Sequence, residues 1–328
     1  MNKARLQEIL SFIPRRRLLV LGDLMLDRYW WGETHRLSPE APVPVVRKQT
    51  ATVRPGGAAN TAANLTALGA SVDLIGMTGN DTAAEELRQA LQTFGIDSSH
   101  LFQDETRPTT SKTRIVALHQ HVVRVDEEET TPVTAAAETE ILRRVMAALP
   151  RANAIVISDY AKGLLTPALL RHVFEAAAGK PVFVDPKGPD YARYRGATLL
   201  KPNRHGLAVF TARHVANHEE TLSAATELLP KLGGTHLLVT EAEDGMTLFR
   251  PDTPPAHTAS IRRQAFDVTG AGDTVLATLA AAVTAGASYE EAMILATHAA
   301  ALAVATVGTA AITAQMLREA IESDLRPA

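Results

Sequence analysis

The sequence predicts an α/β fold: a three-layer α/β/α sandwich on a mostly parallel central sheet, with a small β lid. Three observations predict it. Five short apolar runs end in polar residues, helical patterns separate them, and two further β-like segments stand outside that rhythm. Near-continuous Val, Ile and Leu marks a strand covered on both faces. Strand alternating with helix marks a parallel sheet with helices on either side.

In order, the runs are "LLVLGD" ending at Asp23, "AIVISD" at Asp159, "PVFVD" at Asp185, "TLLKPN" at Asn203, and "HLLVTE" at Thr240 and Glu241. Helical patterns fall at 60–68, 83–94, 135–148, 167–178 and 219–232, and after His257 the pattern is helical to the end. Ligands of open parallel sheets bind outside the carboxyl ends of the strands, so the five polar endings are expected to face one crevice. The two segments that break the alternation are "RYWWGETHRL" (28–37) with "APVPVVRKQT" (41–50), and "TSKTRIVAL" with "HVVRVDEEE" (110–129). They read as hairpins forming the lid, with Pro42 and Pro44 suited to an edge strand. No Pro/Gly/Ser-rich linker divides the chain, so 1–328 reads as one domain.

Composition excludes several classes of partner. Lys and Arg number 33 against 36 Asp and Glu, which sets up no field favouring nucleic acid or an acidic membrane surface. A small-molecule partner is the default. The absence of cysteine excludes disulfides, thiolate zinc sites and a Cys nucleophile, and fits a reducing, cytoplasmic setting. "LLVLGDLML" is interrupted by Asp23 and lacks a small-residue cleavage site, so it reads as a strand and not a signal peptide. The run 293–317 carries no Asp, Glu, Lys or Arg, but its Ala, Thr and Gly content, with His298 inside, reads as a packed helix and a turn.

The chemistry is concentrated in "DVTGAGDT" (267–274). A helix opening at a glycine turn offers unpaired N–H groups and a positive dipole end, a cradle for an anion. Asp273 in that first turn suits a base that takes the proton of an attacking hydroxyl while the neighbouring amides stabilise a transferred phosphoryl group. Asp267, on the incoming loop, suits a cation. A second glycine pair, "RPGGAANTAANL", precedes another helix and suits close packing against sugar hydroxyls. Each fragment alone is equally well a glycine turn before a helix. Neither a P-loop nor the protein-kinase Lys and H-R-D set occurs.

Taken together, "GGAAN", "DVTGAGD", the five-strand core and the lid resemble the ribokinase, or PfkB, sugar kinase family. Within it, "LVLGDLMLDRYWWGETHRLSPEAPVPVV", "SDYAKG", "DPKGPDYARYRGATLLKPN" and "DVTGAGDTV" resemble the kinases of the ADP-heptose pathway of lipopolysaccharide core synthesis, over nearly the whole chain. The resemblance implies ATP-dependent phosphorylation of D-glycero-β-D-manno-heptose 7-phosphate at O1, with Mg²⁺ and a monovalent cation such as K⁺. It implies Asp273 as the base and the amides of Gly270, Ala271 and Gly272 as the anion hole. Asp23, Gly56, Gly57 and Asn60 fall where the family binds sugar hydroxyls. Asn203, Thr240, Gly245 and His298 fall along the nucleotide side, and Asp267 falls near the monovalent cation.

One departure stands out: "NRHG" puts Gly206 where the family's N-x-x-E motif has its Glu. Water-mediated ligation by Asn203 or Asp185 is the expected replacement in holding Mg²⁺. Arg124, Lys162 and Lys187 are the candidates for the phosphate of the sugar. Trp30 and Trp31 must point to opposite faces of a strand, one toward the sugar and one toward a partner subunit, so a homodimer through the lid is expected. Little chain follows "VGTAAITAQMLREAIESDL", so a nucleotidyltransferase step is expected from a separate protein. The alternatives are a PfkB-type kinase of another sugar or sugar phosphate, or a non-catalytic sugar sensor on the same fold.

Overall fold

A computed structural model describes residues 2–118, 120–177, 179–261, 267–306 and 308–324. From the N-terminus, α1 (Lys3–Phe12) leads into β1 (Arg17–Gly22), the long β2 (Leu24–Leu37) and β3 (Pro44–Gly57), then α2 (Ala58–Ala67). Next come β4 (Ser71–Ile75), β5 (Met77–Thr78), α3 (Thr82–Thr93), β6 (Phe102–Gln103), β7 (Ser111–Ala117) and β8 (Gln120–Glu127). The middle holds α4 (Ala135–Ala148), β9 (Ala154–Ser158), α5 (Pro167–Ala177), β10 (Val182–Asp185), β11 (Leu199–Leu200), α6 (Arg204–Thr211) and α7 (His218–Leu228). The chain closes with β12 (His236–Thr240), β13 (Met246–Arg250), β14 (Thr253–Thr258), α8 (Ala271–Thr284), α9 (Tyr289–Val304) and α10 (Ala314–Asp324).

The five runs read from sequence become β1, β9, β10, β11 and β12, which lie side by side and parallel. Their polar endings therefore share one edge. The sheet itself is wider than five strands, with eight in the order β14-β13-β12-β11-β10-β9-β1-β4. β4 escapes a search for apolar runs because Asp73 interrupts "SVDLI"; that carboxylate is buried and held by Arg17 and Arg151. The antiparallel pair β13 and β14 extends the other edge. β11 is only two residues long, because the chain leaves the sheet at once toward Asn203.

Alternate residues of the central strands feed two cores. Leu18 and Val20 face the α1, α2, α3 and α8–α10 side, whereas Leu19 and Leu21 face α4, α5 and α7. The run 293–317 divides into α9, a turn and α10, and none of the described helices is long and apolar enough to cross a membrane.

The two hairpins form one four-stranded sheet, β3-β2-β7-β8, in which β2 and β7 pair in parallel. Its longer hairpin is rooted in the body: β2 begins at Leu24, one residue after Asp23, and β3 ends at Gly57, where α2 starts. Register puts Asp27, Tyr29, Lys112, Arg114 and Arg124 on one face of the lid. Trp30, Ile115, Val123 and Val125 lie on the other, where Trp30 is 36%, Val123 48% and Val125 50% exposed.

Candidate active site

The first turn of α8 is the centre of the site. Gly270 caps the helix with φ +79°, a left-handed conformation that favours glycine, and no side chain occupies the cap. The amide end of α8 opens instead into a cavity of about 790 Å³, lined by Gly270, Ala271 and Gly272 together with Tyr160, Asp185, Lys201, Asn203 and Thr240. Small residues keep this approach clear. A Cβ on Gly270 would sit 2.6 Å from Asn60 Nδ2, and one on Gly272 would sit 3.4 Å from Lys201 Nζ.

Asp273 lies one residue further into α8 and is buried. Asn60 Nδ2 donates to its Oδ2 at 2.9 Å, and the Tyr160 hydroxyl donates to its Oδ1 at 2.8 Å. Burial pushes the carboxyl up to about 7; the Asp185 charge adds to the rise, while the hydrogen bonds from Asn60 and Tyr160 oppose it. A carboxylate poised there is matched to taking a proton near neutral pH.

Asp23, just past β1, is also buried, and its Oδ2 accepts from the amides of Tyr160 (2.8 Å) and Lys162 (3.1 Å). Burial and then the Asp159 charge push it up to about 6. The glycine pair lets three segments meet here. A side chain at Gly56 would strike the Asp27 carboxylate, and one at Gly57 (φ +58°) would strike the Asp23 carbonyl, which already accepts from Ala58 N at 3.0 Å. Asn60 is thereby aimed at Asp273, with Asn64 bracing it from one turn along α2.

Asp185, at the end of β10, makes a 2.9 Å ion pair with the buried Lys201. Asn203 caps α6 by accepting from Gly206 N at 2.7 Å. These oxygens, with Thr240, face the amide end of α8 across the cavity. Oxygen donors of this kind suit a hard cation such as Mg²⁺, and the cavity volume suits a nucleotide. Asp267 accepts from the amides of Thr269 (2.9 Å) and Gly308 (3.0 Å). Burial works to raise its carboxyl, but hydrogen bonding from Thr269 and Gly308 and the Arg114 charge hold it below the usual range.

Three of the residues read from sequence lie elsewhere than expected. His298 lines no part of this cavity: its ring nitrogens face the Ile294 carbonyl at 2.9 Å and Asp324 at 3.0 Å, so it ties α9 to α10. Gly245 shapes the turn instead of lining it; with φ +104°, its carbonyl accepts from Glu241 N. Lys187 lines the same cavity as Asn203 and Thr240, a cavity that no lid residue lines. Arg124 and Lys162 stay with the lid. Arg124 is paired with Asp126 at 2.8 Å, and Lys162 reaches Glu128 at 2.7 Å.

Several site residues escaped sequence reasoning. Tyr160 is the partner of Asp273 and was visible only as part of "SDYAKG". Lys201 looks like a solvated strand-end lysine in "TLLKPN" yet is 2% exposed. On the lid, Arg114 pairs with the buried Asp27 at 2.5 Å, and Lys112 bonds Asp126 and Glu128. Burial pushes the Asp27 carboxyl up by more than Arg114 draws it down. A separate cavity of about 320 Å³ between Tyr191, Phe210 and Lys231 holds none of the residues read from sequence.

The chain is 46% identical over 308 residues to the bifunctional protein HldE of Azorhizobium caulinodans, covering 93% of this chain and 64% of that one. It is 45% identical over 307 residues to the bifunctional protein HldE of Ectopseudomonas mendocina, covering 94% and 64%. It thus spans just under two thirds of the length of these relatives. Among solved structures, it resembles Arabidopsis thaliana ribokinase complexed with ribose and ATP (TM-score 0.74, 23% identity, 94% of this chain and 99% of that one). It also resembles Escherichia coli phosphofructokinase-2 in complex with potassium (TM-score 0.76, 17% identity, 95% and 99%). These likenesses establish a ribokinase-like fold. The model of the pfkB family carbohydrate kinases matches residues 15–315, and the chain belongs to that family.

Proposed function

We propose that this ATP-dependent carbohydrate kinase phosphorylates D-glycero-β-D-manno-heptose 7-phosphate at O1. The observation that carries the catalytic part is the buried Asp273 carboxyl, tuned to about 7 and set in the first turn of a helix whose uncapped terminus faces a nucleotide-sized cavity. The substrate part rests on the motif resemblance and on the lid face carrying Lys112, Arg114 and Arg124, with Lys162 close by. These cations are each paired with a carboxylate, Asp27, Asp126 or Glu128, and a sugar phosphate would compete with those carboxylates for them.

In this reading Asp23, Asn60 and the backbone at Gly56 and Gly57 orient the sugar hydroxyls. Asp273 accepts the O1 proton as the new bond to the γ-phosphorus forms and the bond to the bridging oxygen of ADP breaks. The amides of Gly270, Ala271 and Gly272 and the Lys201 ammonium stabilise charge on the phosphoryl oxygens in transit. Asn203, Thr240 and Lys187 border the nucleotide. Asp185 and Asn203 would hold Mg²⁺ through water, the ion neutralising phosphate charge. Asp267 would hold a monovalent cation beside the anion hole. The lid excludes water when the sugar is bound, and its opposite face, with Trp30, Val123 and Val125 exposed, is the surface we assign to a second copy of the chain. A cytoplasmic location follows from the use of ATP.

The test is ATP-dependent turnover of the heptose 7-phosphate beside ribose, fructose 6-phosphate and adenosine. Turnover of the heptose phosphate with kcat/KM at least about a hundredfold above the others supports the reading. Preference for another sugar overturns the substrate, and binding without turnover overturns the kinase.

A further inference from the structure

Beyond the phosphoryl-transfer centre, three elements distant in sequence bring His218 at the start of α7, Glu241 just after β12 and His257 in β14 to one point. Glu241 has no exposed surface. Its Oε2 accepts from Arg204 Nη2 at 3.2 Å and lies 3.0 Å from His218 Nδ1. Its Oε1 accepts from the Thr247 hydroxyl and lies 3.9 Å from His257 Nδ1. The two imidazole rings are 4.6 Å apart between centres, tilted by 57°. Each of the three residues offers one donor atom, and all three atoms lie within 4.8 Å of one another.

We propose that His218, Glu241 and His257 form a binding site for a borderline divalent cation of the Zn²⁺ class, with a further coordination position left to water or an anion. Two imidazoles and one carboxylate select for such an ion, whereas Mg²⁺ favours an all-oxygen shell. The supporting shell is present. The Thr247 hydroxyl bonds Glu241 and lies 2.9 Å from His257 Nδ1, and Arg204, which also bonds Asp244, keeps a partner when Glu241 turns to a cation. Such outer contacts orient ligating residues. His218 is half-buried and His257 exposed, so the site is open to solvent while its carboxylate is anchored inside. Glu241 and Arg204 also belong to the wall of the cavity that Asp185 and Asn203 line, but the proposed ligand set, with two imidazoles, differs from those oxygens in kind.

The experiment is calorimetric titration of the tag-free full chain with Zn²⁺ in excess Mg²⁺, together with His218→Gln, His257→Gln and, as a control, the exposed lid variant His35→Gln. One saturable equivalent is expected. Its affinity should fall tenfold or more in each of the first two variants, at least the loss that even outer-shell partners cause, and stay unchanged in the control. Co²⁺ in place of Zn²⁺ should give visible ligand-field bands in the parent chain that the two variants lack. His257 is on an exposed edge strand, and an unchanged melting temperature without metal will show that its variant is folded. No saturable equivalent, or one indifferent to both substitutions, overturns the site.

Discussion

The carboxyl edge of the sheet and the lid face each other across the crevice, and they handle charge in opposite ways. At the sheet edge Asp23 and Asp273 are buried with neutral donors around them, and both carboxyls are pushed up. On the lid Lys112 pairs with Glu128, which also takes Lys162 from the loop after β9, and Arg124 pairs with Asp126, at partly exposed positions where such pairs contribute little to stability. Under the proposed function, the difference separates the half that sets reactivity from the half that sets recognition. A desolvated carboxyl surrounded by fixed donors is a tuned acid–base group. Under the proposed function, cations held by lid carboxylates would exchange those partners for the phosphate of the sugar.

The most severe way to break the comparison is Asp273→Asn, which should lower kcat by about 10²–10⁴ while leaving sugar binding intact. Steady-state kinetics beside calorimetric binding check it, and a loss below tenfold would remove Asp273 from the base role. The lid has one buried pair that behaves like the sheet edge, Asp27 with Arg114. Arg114→Met strands the Asp27 carboxylate and should cost about 3 kcal/mol in urea unfolding, with Asp27→Asn in the same chain recovering most of it. Lys162→Ala should raise KM for the phosphorylated sugar about tenfold and leave kcat nearly unchanged, the loss of one charged hydrogen bond. An equal fall in kcat would place Lys162 in the chemistry.

Acidity sharpens the same contrast. With the Asp273 carboxyl at about 7, kcat/KM should fall as pH drops through that value, tending toward about tenfold per unit. The sign for stability is opposite. Between the ordinary carboxylate value of 3.8 and about 7, the folded chain keeps a proton that the unfolded chain has lost, so this group's contribution declines as pH rises. The smallest effect is expected at Gly206. A Cβ there would meet Pro202, Asn203 and Tyr191 at 3.3–3.4 Å, so Glu fits after a slight shift. Gly206→Glu should change the Mg²⁺ dependence of turnover less than about threefold if Asp185 already fills the role; a larger gain would show that the glycine weakens the enzyme.

Much of the sheet edge was legible because its signals are local. A strand ending in Asp or Asn, and a glycine turn entering an Ala-rich helix, each fit within ten residues. The central strands and the place of Asp273 followed from those, and the lid segments from breaking the alternation. The unread parts depend on distant partners. Asp73 disguised β4 because the arginines that make it acceptable come from elsewhere in the chain. Lys201 and Tyr160 carry no local mark, since their positions depend on Asp185 and Asp273. His298 was read from the family resemblance alone, and its contact with Asp324 depends on α10, which that resemblance did not specify.

The hydrogen bond from Asn60 to Asp273 spans 213 residues of chain, and the one from Tyr160 spans 113. Contacts of such length form late, because loop closure is costly until most of the sheet is in place to reward it. The neutral-range acidity of Asp273 therefore belongs to the finished molecule and to no fragment of it. In a refolding experiment, proton uptake near neutrality would act as a clock for completion of the fold, lagging behind the appearance of helix.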